Sequence, residues 1–234
     1  MLQRIKLLPL FIEFLGSMTL AMGLLAMSGR TNFPFFGAVI AGVVYGLFLL
    51  VCWPIYRVQI NPIVTIGMWT MRLIGTLRAI AVVAAQLLGG VAAWQLSEYL
   101  LNQPLRNIAG DELDWRVLVA ELAGALIFTF VFTIAITKTT DVVSRAFAAG
   151  GGLTIGMLVA SLASNGLINP AAAIGLQSWS WAYVLGPIAG AFIGMNLLPL
   201  LTAIDRRASQ RNVVSSKVVS KKTTKKAKTT KKKK

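Results

Sequence analysis

Six apolar runs, at about 7–28, 34–53, 79–101, 117–137, 146–164 and 181–203, set the terms for folding. Each is close to the ~20 residues a helix needs to cross a ~30 Å hydrocarbon core. In lipid every backbone N–H and C=O must be bonded within the protein, which leaves helices or a closed barrel. The runs lack the strict alternation of barrel strands. The sequence therefore predicts an all-α membrane protein with six transmembrane helices. Composition agrees: 13% of residues are charged and 56% hydrophobic, where soluble domains carry about 25% charge. The first run follows Arg4 and Lys6, as a signal peptide would. It is longer than the usual ~7–15-residue apolar core and contains Glu13, so it is read as the first span.

The chain repeats itself. INPIVTIG at 60–67 returns as INPAAAIG at 168–175, with Asn61 and Asn169 108 positions apart. The same step carries Glu13 to Glu121, Gly16 to Gly124 and Gly42 to Gly150, so FIEFLGSM matches VAELAGAL. This is an internal duplication. Each half holds three spans, an odd number, so the halves must run in opposite senses across the membrane, an inverted repeat.

The Asn-Pro copies lie in the stretches 54–71 and 165–177, apolar but too short to cross. They read as two re-entrant half-helices dipping in from opposite faces. Pro62 and Pro170 suit the first helical turn, where a missing N–H costs nothing. Asn61 and Asn169 suit the N-cap. The two N-termini, each with partial positive charge and unpaired donors, then meet near the midplane. Six spans place both termini on one side. With the tail inside, the inner segments hold Arg4, Lys6, Arg57, Arg72, Arg78, Lys138 and Arg145, and the outer ones Arg30, Arg106 and Arg116. That bias predicts cytoplasmic termini.

These features together resemble the major intrinsic proteins, the family of aquaporins and glycerol facilitators. The resemblance rests on the two Asn-Pro boxes, Glu13 and Glu121, Gln86 in AQLLGG and the final-span run WAYVLGPIAGAFIG. It covers about residues 5–204, here the channel domain, with repeat halves of about 1–103 and 112–204. It implies a homotetramer with one pore per subunit, no cofactor and no metal. Asn61 and Asn169, flanked by Pro62, Ile63, Pro170 and Ala171, would then donate hydrogen bonds to the permeant; as a simpler alternative they only cap their helices. Glu13 and Glu121 would brace the two re-entrant loops, as costly intramembrane acids with buried partners do. The alternative is that they reach the interface.

The outer constriction departs from the family. Counted from the two asparagines, its positions are Ala41, Met157, Gly166 and Ala172, where an aromatic, a histidine or glycine, a loop residue and an arginine are usual. The first box reads Asn-Pro-Ile. Gln59 stands where histidine is common and Arg57 where a small glycine is usual. Without the arginine's directed donors and fixed charge, the outer aperture is expected to be wider and apolar, fitting glycerol or urea as well as water. Arg57 either restores positive potential at the inner mouth or faces headgroups.

Residues 205–234 hold 13 Lys/Arg against Asp205 alone, and the other 204 residues have ten against seven acids. Composition predicts a disordered tail, drawn to the anionic inner leaflet at ~1 kcal/mol per basic residue. It lacks the aromatic interleaving of single-strand nucleic-acid binders. Lys231–Lys234 would serve as a dilysine signal for the endoplasmic reticulum in a eukaryote; otherwise a cell membrane is expected. The loop Asp111-Glu112-x-Asp114 lacks Ca²⁺-loop spacing. With no histidine and only Cys52, histidine triads and disulfides are excluded, and the chain does not read as an enzyme. Three functions stand: a passive channel for small neutral solutes, a non-conducting structural protein on the same fold, and a coupled transporter using Glu13 and Glu121.

Overall fold

The computed structural model describes residues 6–28, 33–110 and 112–230, the side chains of 33 and 207–230 excepted. Eight helices follow in order: α1 Leu7–Leu25, α2 Phe33–Cys52, α3 Pro62–Thr70, α4 Thr76–Leu101, α5 Trp115–Lys138, α6 Val142–Ala160, α7 Pro170–Gly175 and α8 Ala182–Thr230. Six of them, all but α3 and α7, contain stretches long and apolar enough to span a membrane. No strand occurs among the described residues. The short α3 and α7 are the two half-helices expected from the Asn-Pro boxes. Side chains such as Phe11, Leu15, Leu47, Ile80, Leu88, Val119 and Phe192 are exposed, an apolar exterior that suits lipid and not water. The chain is an integral membrane protein.

Lipid gives apolar helices no hydrophobic reason to associate, so close backbone packing at small residues does that work. The central crossing joins α2 to α6 through the repeat-related pair Gly42 and Gly150. A Cβ on Gly42 would lie 2.6 Å from the Gly150 carbonyl oxygen, and one on Gly150 would strike the Gly42 carbonyl. In α8, Gly186, Gly190 and Gly194 form a stripe over the carbonyls of Leu118, Leu122 and Leu126 in α5. Crossing between the halves, α7 packs on α4 and α1; a Cβ on Gly90 would strike the carbonyl of Ala171.

Caps follow from sequence. Asp114 accepts the Arg116 N–H at 2.7 Å to start α5, and Asp141 accepts the Ser144 N–H at 2.7 Å to start α6. Asp114 of the acidic loop is thus a helix cap, while Asp111, with Arg4 and Arg30, lies outside the described residues. The Ser144 hydrogen bonds hold the Asp141 carboxyl below the usual aspartate range.

The chain divides into two units, Met1–Asn196 and Leu197–Lys234. Helix α8 continues to Thr230, whereas composition predicts disorder from 205 onward. Lys and Ala have little intrinsic helix cost, so local propensity permits a helix that like-charge repulsion opposes. Lys231–Lys234 lies outside the described residues.

Candidate functional site

Each half-helix is built the same way. Asn61 has φ −155° and its Oδ1 accepts the Ile63 N–H at 3.1 Å; Pro62 opens α3. Asn169 has φ −153° and its Oδ1 accepts the N–H groups of Ala171 at 3.0 Å and Ala172 at 3.3 Å; Pro170 opens α7. The two N-termini meet directly. Asn61 Nδ2 donates to the Ile168 carbonyl oxygen at 3.1 Å.

The residues before the asparagines, Ile60 and Ile168, both have φ of 40°. For a β-branched residue this is an outlier, and it occurs twice, at repeat-related positions. Glu13 and Glu121 hold it in place. Glu13 accepts the N–H of Gln59 at 2.8 Å and of Ile60 at 2.6 Å. Glu121 accepts the N–H of Leu167 at 3.0 Å and of Ile168 at 2.6 Å. Both acids are fully buried. One helical turn on, Gly16 and Gly124 leave room for the isoleucine methyl groups; a Cβ on either would crowd Cγ2 of Ile60 or Ile168.

The halves then differ. Gln86 Nε2 donates to Glu13 at 2.7 Å and to Thr65 Oγ1 at 2.9 Å. Glu121 receives instead the Ser164 hydroxyl at 2.6 Å, and Ser164 Oγ accepts the Gly166 N–H at 2.9 Å. Asn61 Nδ2 is bonded, while Asn169 Nδ2 is buried with no partner among the described residues, as are Gln59 Oε1 and the Tyr45 hydroxyl.

Ala41, Met157 and Ala172 belong to one buried apolar cluster. Gly166, with φ of 64°, packs on the Met157 carbonyl. Gln59 is buried, and its Nε2 donates to the Arg57 carbonyl at 2.9 Å. Arg57 is exposed. Beside it Arg78 lies over the Tyr56 ring at 5.0 Å, and burial pushes the Tyr56 phenol well above its ordinary pKa. No cluster of potential metal ligands exists among the described residues. Sequence reasoning missed Tyr45, Ser164 and the isoleucine backbone. Comparing the two halves position by position singles out Tyr45 and Ser164, which pair with Leu153 and Tyr56; the two isoleucines match each other and leave no such signal.

Six spans in two inverted halves, with opposed half-helices capped by Asn-Pro, define an aquaporin-like fold. The family model for the Major intrinsic protein matches residues 11–198, and the chain belongs to that family. Aquaporin-5 of Mus musculus is 29% identical over 171 residues, 65% of this chain and 63% of that one. Aquaporin-8 of Botryotinia fuckeliana is 30% identical over 167 residues, 62% of this chain and 49% of that one. The chain therefore spans about half to just under two thirds of these relatives. Among solved structures, the aquaglyceroporin from Plasmodium falciparum superposes with a TM-score of 0.68 at 14% identity, covering 85% of this chain and all of that one. At that identity the likeness concerns the fold.

Proposed function

We propose that the chain is a passive transmembrane channel for water and small neutral solutes such as glycerol and urea. The observation that carries this reading is the meeting of two capped half-helix N-termini, tied by Asn61 Nδ2 and the Ile168 carbonyl at 3.1 Å. Opposed N-terminal dipoles repel cations and protons while amide donors serve neutral hydrogen-bonding molecules. In this reading Asn61 and Asn169 are the pore asparagines, Glu13 and Glu121 hold the loops, and Ala41, Met157, Gly166 and Ala172 form an outer constriction without an arginine. Arg57 and Gln59 stand at the inner mouth. The assembly is a homotetramer in a cell membrane with cytoplasmic termini, and the basic tail lies near the anionic leaflet. Stopped-flow light scattering on proteoliposomes tests it: water, glycerol or urea permeability above empty vesicles is expected, and none above them overturns it.

A second reading, a non-conducting structural protein on the same fold, is favoured by one observation. Asn61 is 0% and Asn169 only 2% exposed, so solvent scarcely reaches the box asparagines in this conformation. Absence of flux from the folded protein would decide for it. A coupled transporter has no comparable support, since each acid is committed to two backbone N–H groups.

A further inference from the structure

Helices α2 and α5 both pack on α6, yet among the described residues their backbones stay more than 8 Å apart, Cα to Cα. Side chains cross that gap. The Tyr45 ring of α2 meets Phe128 of α5 edge-on, centroids 5.4 Å apart and planes at 87°, and Phe132 at 6.2 Å and 75°. Phe128 and Phe132 lie 6.1 Å apart. All three are fully buried.

The repeat shows what is particular about them. The 108-residue step pairs Tyr45 with Leu153, Phe128 with Leu20 and Phe132 with Leu24, and these leucines are buried as well. The chain thus builds the same three positions twice, one set aromatic and the other aliphatic, each drawn from both repeat halves. Tyr45 lies three residues beyond Gly42 and Phe128 four beyond Gly124, on helices running toward the side on which α1 begins. Leu153 and Leu20 lie the same steps beyond Gly150 and Gly16, on helices running the opposite way. The aromatic set therefore sits on the terminus side of the Asn61–Asn169 pair. It also carries a polar atom that its aliphatic counterpart lacks. The Tyr45 hydroxyl is buried without a partner among the described residues, as are Asn169 Nδ2 and Gln59 Oε1. Buried polar groups are nearly always satisfied, and an exception calls for an explanation, a water molecule supplying the bond among them.

Resting on the channel reading above, we propose that Tyr45, Phe128 and Phe132 form the selecting constriction on the terminus side of the asparagines. The rings set the size limit, and the Tyr45 hydroxyl hydrogen-bonds a passing molecule of water size. The outer aperture admits glycerol; this second, aromatic one discriminates against it. None of the three belongs to the outer constriction or to the boxes.

Two variants in proteoliposomes test the assignment. Phe128→Leu/Phe132→Leu installs the leucines that the other half already uses. It is expected to raise the glycerol-to-water permeability ratio about tenfold, the discrimination that one misfitting methylene brings in an apolar site. Tyr45→Phe keeps the ring and removes a hydroxyl that the protein leaves unpaired, so the fold should be no less stable. It is expected to lower water permeability roughly three- to tenfold, the worth of one neutral hydrogen bond. If the double variant elutes as the wild type on size exclusion and keeps its ratio, the constriction is overturned and the channel reading stands. An unchanged water permeability in Tyr45→Phe overturns the role of the hydroxyl, whether or not the double variant folds. Silence from all three overturns the channel reading and this assignment with it.

Discussion

The Glu13 carboxyl group accepts the N–H of Ile60 at 2.6 Å, and Ile60 stands at φ 40°. The pairing of Glu121 with Ile168 repeats it at the same distance and the same φ. A β-branched residue in the left-handed region costs roughly 1–3 kcal/mol and persists only where its surroundings over-determine it. Here two adjacent N–H groups are tied to one buried acid, and a glycine one turn later receives the side chain. The strain turns the chain sharply, so that the next residue caps a half-helix beside its counterpart. Backbone conformation, packing and the position of both asparagines thus depend on one acid in each half.

Replacing Glu13 by Gln tests that dependence. Both oxygens of Glu13 accept, from Gln59, Ile60 and Gln86. An amide has one accepting oxygen, so its nitrogen would face a donor. One buried N–H left unpaired costs about 1–3 kcal/mol. Glu13→Gln is expected to lower the melting temperature in detergent and to reduce any solute flux with it. Glu121→Gln should act in the same direction but less, because the Ser164 hydroxyl can turn to accept the new amide proton. Wild-type melting in both variants would contradict the bracing role.

The glycines beside the isoleucines permit a sharper comparison. A Cβ on Gly16 would crowd Cγ2 of Ile60 and come 3.1 Å from Phe48; a Cβ on Gly124 would strike the Gly156 carbonyl, lie 2.9 Å from Ala160 Cβ and come only 3.1 Å from Cγ2 of Ile168. Each Gly→Ala change is expected to destabilise by about 1–3 kcal/mol through overpacking. Ile60→Ala should relieve much of the Gly16→Ala effect in a double-mutant cycle. Ile168→Ala should leave most of the Gly124→Ala effect in place, because the Gly156 backbone cannot withdraw. Equal rescue at both sites would show that the isoleucine contact alone decides.

Much of this fold was legible because lipid restricts the choices. Run length predicted the six spans, and the 108-residue step carried Glu, Gly and Asn-Pro together from one half to the other. The step fails in α4 and α8. Gly89 packs on the Phe14 carbonyl and Gly190 on that of Leu122; Phe14 and Leu122 keep the 108 spacing, while Gly89 and Gly190 are 101 apart. The half-helix α7 is shorter than α3, six residues against nine, and the next span starts earlier. Gln86 therefore has no counterpart, and Ser164 serves the second acid from a loop. Nothing in a sequence marks an isoleucine for positive φ, since that conformation is imposed by its partners. Tyr45 was hidden for a related reason: it reads as one apolar position on a span until the gap between α2 and α5 is known.

Asp141 offers a pH-dependent test outside the spans. Its hydrogen bonds to Ser144 lower its pKa from the ordinary 3.8. A group depressed in the folded state contributes stability above its unfolded pKa, and loses it as pH falls through the folded one. The stability of the wild type relative to Asp141→Asn, which keeps a capping oxygen but does not titrate, should be constant near neutrality and decline below pH 3.8. Melting curves of the two proteins across that range check it, and parallel curves would show that the cap carries no titrating component.

Ala172 separates size from charge at the outer constriction. It is buried, on the first turn of α7, with its N–H bonded to Asn169 Oδ1 at 3.3 Å. An arginine there would bring a permanent cation with directed donors, placed unfavourably at a helix N-terminus. Ala172→Leu adds bulk without charge. If the aperture is wide and apolar, both variants should lower glycerol permeability more than water permeability. Ala172→Arg alone should also lower proton leak, since a fixed positive charge adds to the barrier of the half-helix dipoles. Its melting temperature should fall more than that of Ala172→Leu, because an unpaired cation is being desolvated. Equal losses of water and glycerol flux in both variants would place Ala172 outside the constriction, and an unchanged proton leak in Ala172→Arg would mean that the dipoles alone set the barrier.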